Sequence, residues 1–222
     1  MPAGSRSALL LGATGLVGRQ CLKLLLEGSA YDRIAVIARR DADREHPRLN
    51  WVSTDFEHLP RHKELFSGSD VFCCLGTTMA KAGSPEAFRR IDHGYVLAAG
   101  RLAAGQGARQ FLVVTAAGAA PDSRMLYMRT KGQVEADLSE LNLQALHIFQ
   151  PSMLLGQRAE RRPAEAVGVF LARLLRPLFG GPLRKYRPIA AATVAAAMLA
   201  QADRQLAGTH IITSQLMEKL AR

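Results

Sequence analysis

The sequence predicts an α/β fold, a doubly wound parallel sheet with helices on both faces, and three observations carry that expectation. Short apolar runs of strand length alternate with stretches of helical periodicity along most of the 222 residues, the pattern left by repeated strand–helix units. The first run, Leu9-Leu10-Leu11, opens directly into glycines spaced by three at Gly12, Gly15 and Gly18, and helical spacing resumes from Leu16 to Leu26. The length suits one domain with a sizeable core, so a single unit over 1–222 is expected, with a small insertion at 157–190.

Taken in order, the first strand falls at 8–11, and this apolar start is read as a strand rather than as a leader segment. The first helix runs from 16 to 27 and ends at Gly28. Buried strands follow at 33–38, 49–53 and 70–74. A long helix over 84–105 has Ser84 as its N-cap and Pro85 in its first turn, with Phe88, Ile91, Tyr95, Leu97 and Leu102 as its apolar stripe. The fifth strand is at 110–115, a helix opens near Tyr127, and the sixth strand spans 143–149. An alanine-rich helix over 190–202, a last strand at 209–212 and a closing helix from Ser214 complete the chain.

Composition narrows the function classes. Hydrophobic residues at 48% and charged residues at 22% are ordinary for a globular chain, but a net charge of +10 points to an anionic partner. Nucleic acid is disfavoured, because zinc-finger spacing is absent and only 6% of residues are aromatic; a ligand carrying phosphates accounts for the charge more simply. Three cysteines without C-x-x-C spacing give neither a disulfide framework nor a metal site, which places the chain in a reducing compartment, expected to be the cytoplasm. Cys73 and Cys74 read as core thiols, and the six histidines are scattered. No apolar run reaches the roughly 18 residues of a membrane span. Eight basic and two acidic residues lie between 158 and 187, where Val167, Phe170, Leu171, Leu174, Leu175 and Leu178 recur with helical spacing. This segment is expected to be a lid helix with a basic rim, or a peripheral membrane or acidic-partner contact.

The glycine turn states the chemistry. A dinucleotide pyrophosphate must approach main-chain N–H groups at a helix N-terminus, where the dipole favours negative charge and a Cβ obstructs the approach. Gly12, Ala13, Thr14, Gly15, Leu16 and Val17 form that turn, with Gly15 and Gly18 as the expected close-approach positions. Arg39 and Arg40 sit at the tip of the second strand, where a carboxylate accepts the ribose 2′-OH of NAD and an arginine pairs with the 2′-phosphate of NADP. NADP(H) is therefore favoured, although Asp41 just beyond offers a carboxylate. After the third strand, Asp55 is placed at the adenine edge with the Phe56 main chain nearby, or caps the next turn. Leu75, Gly76, Thr77 and Thr78 leave the fourth strand along the cofactor. Tyr127 and Lys131, four apart, share a helix face, and a lysine beside a phenol favours the phenolate, which suits Tyr127 to proton exchange with a substrate oxygen.

These motifs, Gly12-Ala13-Thr14-Gly15-Leu16-Val17-Gly18, Arg39-Arg40, Cys73-Cys74-Leu75-Gly76-Thr77-Thr78 with Lys81-Ala82-Gly83, Tyr127 to Glu135, and Pro151 with Leu154-Leu155, resemble the atypical branch of the short-chain dehydrogenase/reductases. More narrowly, the chain is similar to the Tat-interacting, oxidoreductase-like tumour-suppressor family and its bacterial relatives. The resemblance implies a Rossmann-like sheet, NADP(H) binding and a Ser/Thr–Tyr–Lys catalytic set of Thr115, Tyr127 and Lys131. It also implies Pro151, Ser152 and Met153 as contacts beside the nicotinamide, a substrate pocket built after the sixth strand, and a monomer or homodimer. The family's hydroxyl pair at the end of strand five is here Thr115-Ala116, so only Thr115 carries a hydroxyl. The expected activity is NADP(H)-dependent reduction of a small-molecule carbonyl, with Tyr127 as acid, Lys131 as its tuner and Thr115 as a second donor. The alternative is an NADP(H)-binding regulator acting through protein contacts with little turnover. An epimerase or dehydratase holding NAD is disfavoured by Arg39-Arg40.

Overall fold

A computed structural model describes residues 6–43, 45–155 and 187–222. The elements are β1 (Ser7–Leu11), α1 (Leu16–Glu27), β2 (Arg33–Ala38), β3 (Leu49–Ser53), a 3-10 segment (Phe56–Phe66), β4 (Ser69–Cys73), α2 (Met79–Ala82) and α3 (Pro85–Arg89). A π-helical turn (Arg90–Tyr95) leads into α4 (Val96–Gly105), followed by β5 (Gln110–Val114), α5 (Leu126–Ser139), β6 (Ala145–Gln150) and β7 (Leu154–Leu155). Then come β8 (Ile189–Ala190), α6 (Ala191–Asp203), β9 (Gly208–Thr213) and α7 (Ser214–Leu220).

Seven strands form one parallel sheet in the order β3-β2-β1-β4-β5-β6-β9. The order reverses between β1 and β4, and in such sheets the crevice at the carboxyl ends beside the reversal holds ligands. Both faces are covered, which explains why the strands read as continuous apolar runs rather than as alternating ones. Alternate residues go to opposite layers: Leu10, Phe72, Leu112 and Phe149 pack with α1 and α6, whereas Leu9, Leu11, Val71, Phe111 and Val113 pack with the 3-10 segment, α4 and α5. The expected α/β class, strand sequence and closing helix are all present.

The long helix expected over 84–105 is not continuous. An unbroken α-helix there puts Ile91 in the core, but the π turn inserts an extra residue and rotates the positions after it. Ile91 is half-buried and Asp92 is fully buried. The stripe then continues through Val96, Ala99 and Ala103.

At the amino ends of the strands the buried Asp70 accepts from Arg6 at 2.9 Å, Tyr31 at 2.8 Å and Arg109 at 3.1 Å. Arg6 also reaches Asp203 at the end of α6, 2.6 Å away, so Arg6 joins the start of the described chain to β4 and to the end of α6. Burial beside Asp70 pushes the Tyr31 phenol well above its ordinary value, and the protonated hydroxyl donates to Asp70 while accepting from Arg6 at 2.9 Å.

On β6, His147 is fully buried, stacked on His210 with ring centroids 5.2 Å apart, and accepts at Nδ1 from Gln201 at 3.2 Å. Burial first, and the neighbouring His210 second, push its pKa down to about 4. Because the folded ring resists a proton that the unfolded chain accepts near pH 6.5, stability falls as pH drops from about 6.5 to about 4, by no more than about 3 kcal/mol. Thermal melting across this window is expected to show a steeper loss for wild type than for His147→Gln; identical slopes contradict the assignment.

Candidate functional site

The site is built where β1 turns into α1. Gly12 has φ +82°, and a Cβ there would lie 2.5 Å from the carbonyl oxygen of Cys74. A Cβ at Gly18 would lie 2.1 Å from the Gly12 oxygen. The expectation that Gly15 and Gly18 face the ligand is thus corrected for Gly18, whose missing side chain lets α1 pack on its own turn. Gly15 is the N-cap of α1 and is exposed; no side chain caps this helix and its first turn has no acidic residue. Amides of a first helical turn lack intrahelical partners, so the uncapped Leu16 and Val17 end of a 12-residue helix is suited to a phosphate.

Beside that turn opens a cleft of about 240 Å³ lined by Ala13, Thr14, Arg19, Leu22, Arg40 and Trp51, with Asp41 and Asp43. The Trp51 indole donates to the Arg40 carbonyl at 2.9 Å and fixes the tip of β2. Of the two expected arginines only Arg40 lines the cleft; Arg39 is exposed and lies towards Tyr95, whose phenol burial and Glu57 push upward and Arg39 pulls back. Sequence reasoning missed Arg19, one residue past Gly18, which joins Arg40 from a different element. A larger hollow of about 360 Å³ lies at the amino ends of β1 to β4, the wrong end of a parallel sheet for a ligand.

Asp55 is exposed at the start of the 3-10 segment and makes no capping bond, so its alternative role as a cap is not seen. Phe56 is buried with its ring 5.7 Å from that of Tyr95. Leu75 is buried, Gly76 is exposed, and Thr78 caps α2 through its hydroxyl, 3.3 Å from the Lys81 amide. The Thr77 amide donates to Asp92 Oδ2 at 2.8 Å.

The helix α5 carries Tyr127, Lys131 and Glu135 at successive four-residue steps along one face. Gly132 makes its approach possible, since a Cβ there would lie 2.2 Å from the Ala120 carbonyl carbon. Tyr127 is half-buried against Phe88, centroids 5.7 Å apart, and its hydroxyl has no hydrogen-bond partner among the described residues. Lys131 is buried, with its ammonium 2.8 Å from Asp92 Oδ1. Glu135 accepts from Gln150 at 2.9 Å; burial pushes its carboxyl above the usual range, against the pull of the Thr115 hydroxyl, the Gln150 bond and the Lys131 charge.

Thr115 is buried on the α5 side of the sheet and donates to the Phe149 carbonyl at 3.2 Å. Ala116 is buried as well. In the turn after β6, Pro151 accepts from the Ala117 amide at 2.9 Å. The Ser152 amide donates to Ser214 at 2.8 Å and its hydroxyl to the Arg187 carbonyl, so both Ser152 donors hold the carboxyl-terminal segments, while Met153 is exposed. Burial pushes the Cys73 thiol up to about 12, and Cys74 is raised by its contact with Cys21, sulfurs 3.9 Å apart. Among the described residues no cluster of His, Cys, Asp or Glu could hold a metal, and no helix is long and apolar enough to cross a membrane. Apart from Arg187, the basic stretch lies outside the described residues, as does most of the expected insertion at 157–190.

A glycine cradle at the switch point of a parallel sheet, an uncapped helix end and a Tyr–Lys face define a dinucleotide-binding protein of the short-chain dehydrogenase/reductase type. Residues 12–205 match the NAD(P)H-binding family, to which the chain belongs. Protein HTATIP2 of Rattus norvegicus is 39% identical over 165 residues, covering 72% of this chain and 68% of that protein. The mitochondrial protein FMP52-2 of Scheffersomyces stipitis is 34% identical over 186 residues, covering 78% and 81%. The Bordetella bronchiseptica enzyme WbmH, solved with NAD+, superposes with a TM-score of 0.68 over 94% of this chain and 75% of its own at 16% identity. UDP-glucose 4-epimerase of Thermotoga maritima does so at 0.66, over 96% and 81%, with 18% identity; these likenesses concern the fold. The expected cytoplasmic location is corrected by the fungal relatives, which are named mitochondrial. Reduced thiols are compatible with either compartment, so cysteine usage did not separate them.

Proposed function

We propose that the protein is an NADP(H)-dependent oxidoreductase that reduces a carbonyl group of a small molecule. The observation that carries the reading is the Tyr127 hydroxyl, unbonded among the described residues and half-buried one helical turn before the buried ammonium of Lys131. The cradle fits a dinucleotide: Gly12 and Gly15 clear the approach, the Leu16 and Val17 amides receive the pyrophosphate, and Arg19 and Arg40 flank the ribose 2′ position. Asp55 reaches the adenine edge, and Gly76 to Thr78 with Pro151 border the nicotinamide half. When bound, reduced nicotinamide supplies the hydride. Tyr127 gives its proton to the substrate oxygen as negative charge develops there, and Lys131 fixes the ribose side of the same face. The Thr115 hydroxyl is engaged within the protein, at Phe149 and beside Glu135, so proton transfer falls to Tyr127 alone.

A second reading is favoured by the same hydroxyl. With Thr115 engaged and Ala116 unable to donate, the substrate oxygen lacks a second donor, as expected of a regulator that binds NADP(H) and signals through a protein surface.

Titration of wild type is expected to show NADPH binding tighter than NADH by about tenfold or more, or ~1.4 kcal/mol. Arg19→Ala and Arg40→Ala should each erode this preference more than Arg39→Ala does; equal affinity for the two cofactors contradicts the NADP assignment. In NADPH-oxidation assays against carbonyl compounds, Tyr127→Phe should lower turnover by about 10²-fold or more with cofactor affinity retained. Unchanged turnover removes Tyr127 from the chemistry, and absent turnover in wild type moves the weight to the regulator.

A further inference from the structure

We propose, on the cofactor reading above, that Asp92 is the positioning residue for the nicotinamide end of the site. Its single carboxylate holds the Lys131 ammonium at 2.8 Å through Oδ1 and the Thr77 amide at 2.8 Å through Oδ2. The loop leaving β4 and the functional face of α5 are thereby set by one group that belongs to neither.

Three observations converge on Asp92. First, the backbone is distorted to deliver it. The π turn over Arg90–Tyr95 brings Asp92 inward where α-helical spacing would bring Ile91, and such turns are rare and concentrate at functional sites. The turn is anchored on α5 twice, since the adjacent His93 meets Asp137 at 2.6 Å.

Second, the pair is buried, with side-chain exposures of 4% for Lys131 and 1% for Asp92. Two charges removed from water seldom stabilise a fold more than apolar residues of the same volume would. A charged pair kept here is explained by what the ammonium does at the surface of the site.

Third, the pair lies directly beneath the exposed loop. A methyl group on Gly76 would sit 3.3 Å from Asp92 Oδ1 and 3.6 Å from Lys131 Nζ. The exposed Gly76 thus lies directly against the ion pair. An ammonium has three donors, and its contact with Asp92 Oδ1 is an ion pair rather than an aligned hydrogen bond, so donors remain for ribose hydroxyls. Without Asp92, Lys131 is a buried cation that still interacts with the charge of Glu135 on its own helix, and it is drawn away from the loop.

The test separates the two ends of the cofactor. NADPH and 2′,5′-ADP, which lacks the nicotinamide half, are titrated against wild type, Asp92→Asn, Lys131→Met and the double variant, with thermal melting of each. Asp92→Asn keeps the size and an acceptor for the Thr77 amide and removes only the charge. It is expected to weaken NADPH by about tenfold or more while leaving 2′,5′-ADP within about twofold, and the double variant should bind NADPH no more weakly than Lys131→Met. Asp92→Glu, which keeps the charge, should retain more NADPH affinity than Asp92→Asn and covers the case in which the asparagine variant does not fold. An equal loss for both ligands, tracking the melting temperature, overturns the proposal in favour of a merely structural ion pair, as does an unchanged NADPH affinity. Binding of neither ligand by wild type overturns the cofactor reading itself, and the role of Asp92 with it.

Discussion

The turn between β1 and α1 has room for backbone and nothing more. Gly12 presses against the Cys74 carbonyl and Gly18 against Gly12, so two missing side chains fix how closely α1 approaches the carboxyl ends of β1 and β4. Much of the site inherits that contact. The uncapped end of α1 lies where the strand order reverses because Gly18 lets the helix fold back on its turn. The position of Cys74 sets where Leu75 to Thr77 leave the sheet. Thr77 then meets Asp92, and Asp92 meets Lys131, so a chain of short contacts runs from the β1–α1 turn to the face of α5 that carries Tyr127 and Lys131.

Buried charge serves two purposes at the two ends of the sheet. At the amino end, Asp70 is enclosed by Arg6, Arg109 and Tyr31, and its oxygens are spent within the protein. That arrangement ties the start of the described chain to the end of α6. At the carboxyl end, one carboxylate faces one ammonium under an exposed glycine, which leaves the lysine with donors to offer. The same class of interaction is closed in one place and open in the other, and only the open one lies where parallel sheets bind ligands.

The fold was legible because local signals agreed with the global pattern. Leu9 to Leu11, Val36-Ile37 and Phe111 to Val114 are apolar on both faces, as a sheet covered by helices requires, and the glycine spacing marked the first turn. Tyr127 and Lys131 were legible because four-residue spacing places two side chains on one face. The residues that escaped depended on non-local geometry. Asp92 sits among Ile91 and Tyr95 in a segment that reads as an ordinary amphipathic helix, and only the π turn brings it inward. Arg19 reads as the polar face of α1 until the tip of β2 is placed beside it. Thr115 was visible as a hydroxyl at the right strand end, but its bond to Phe149 depends on the neighbouring strand. The short β7 and β8 pair joins residues far apart in the chain, with two residues in each, too few for any periodicity to register.

The most direct measurement is a crystal structure of the protein grown with NADPH. Pyrophosphate oxygens are expected on the Leu16 and Val17 amides, the 2′-phosphate between Arg19 and Arg40, and Lys131 touching the nicotinamide ribose while still paired with Asp92. A dinucleotide lying elsewhere, or a Lys131 that abandons Asp92 to reach the ribose, would contradict that arrangement.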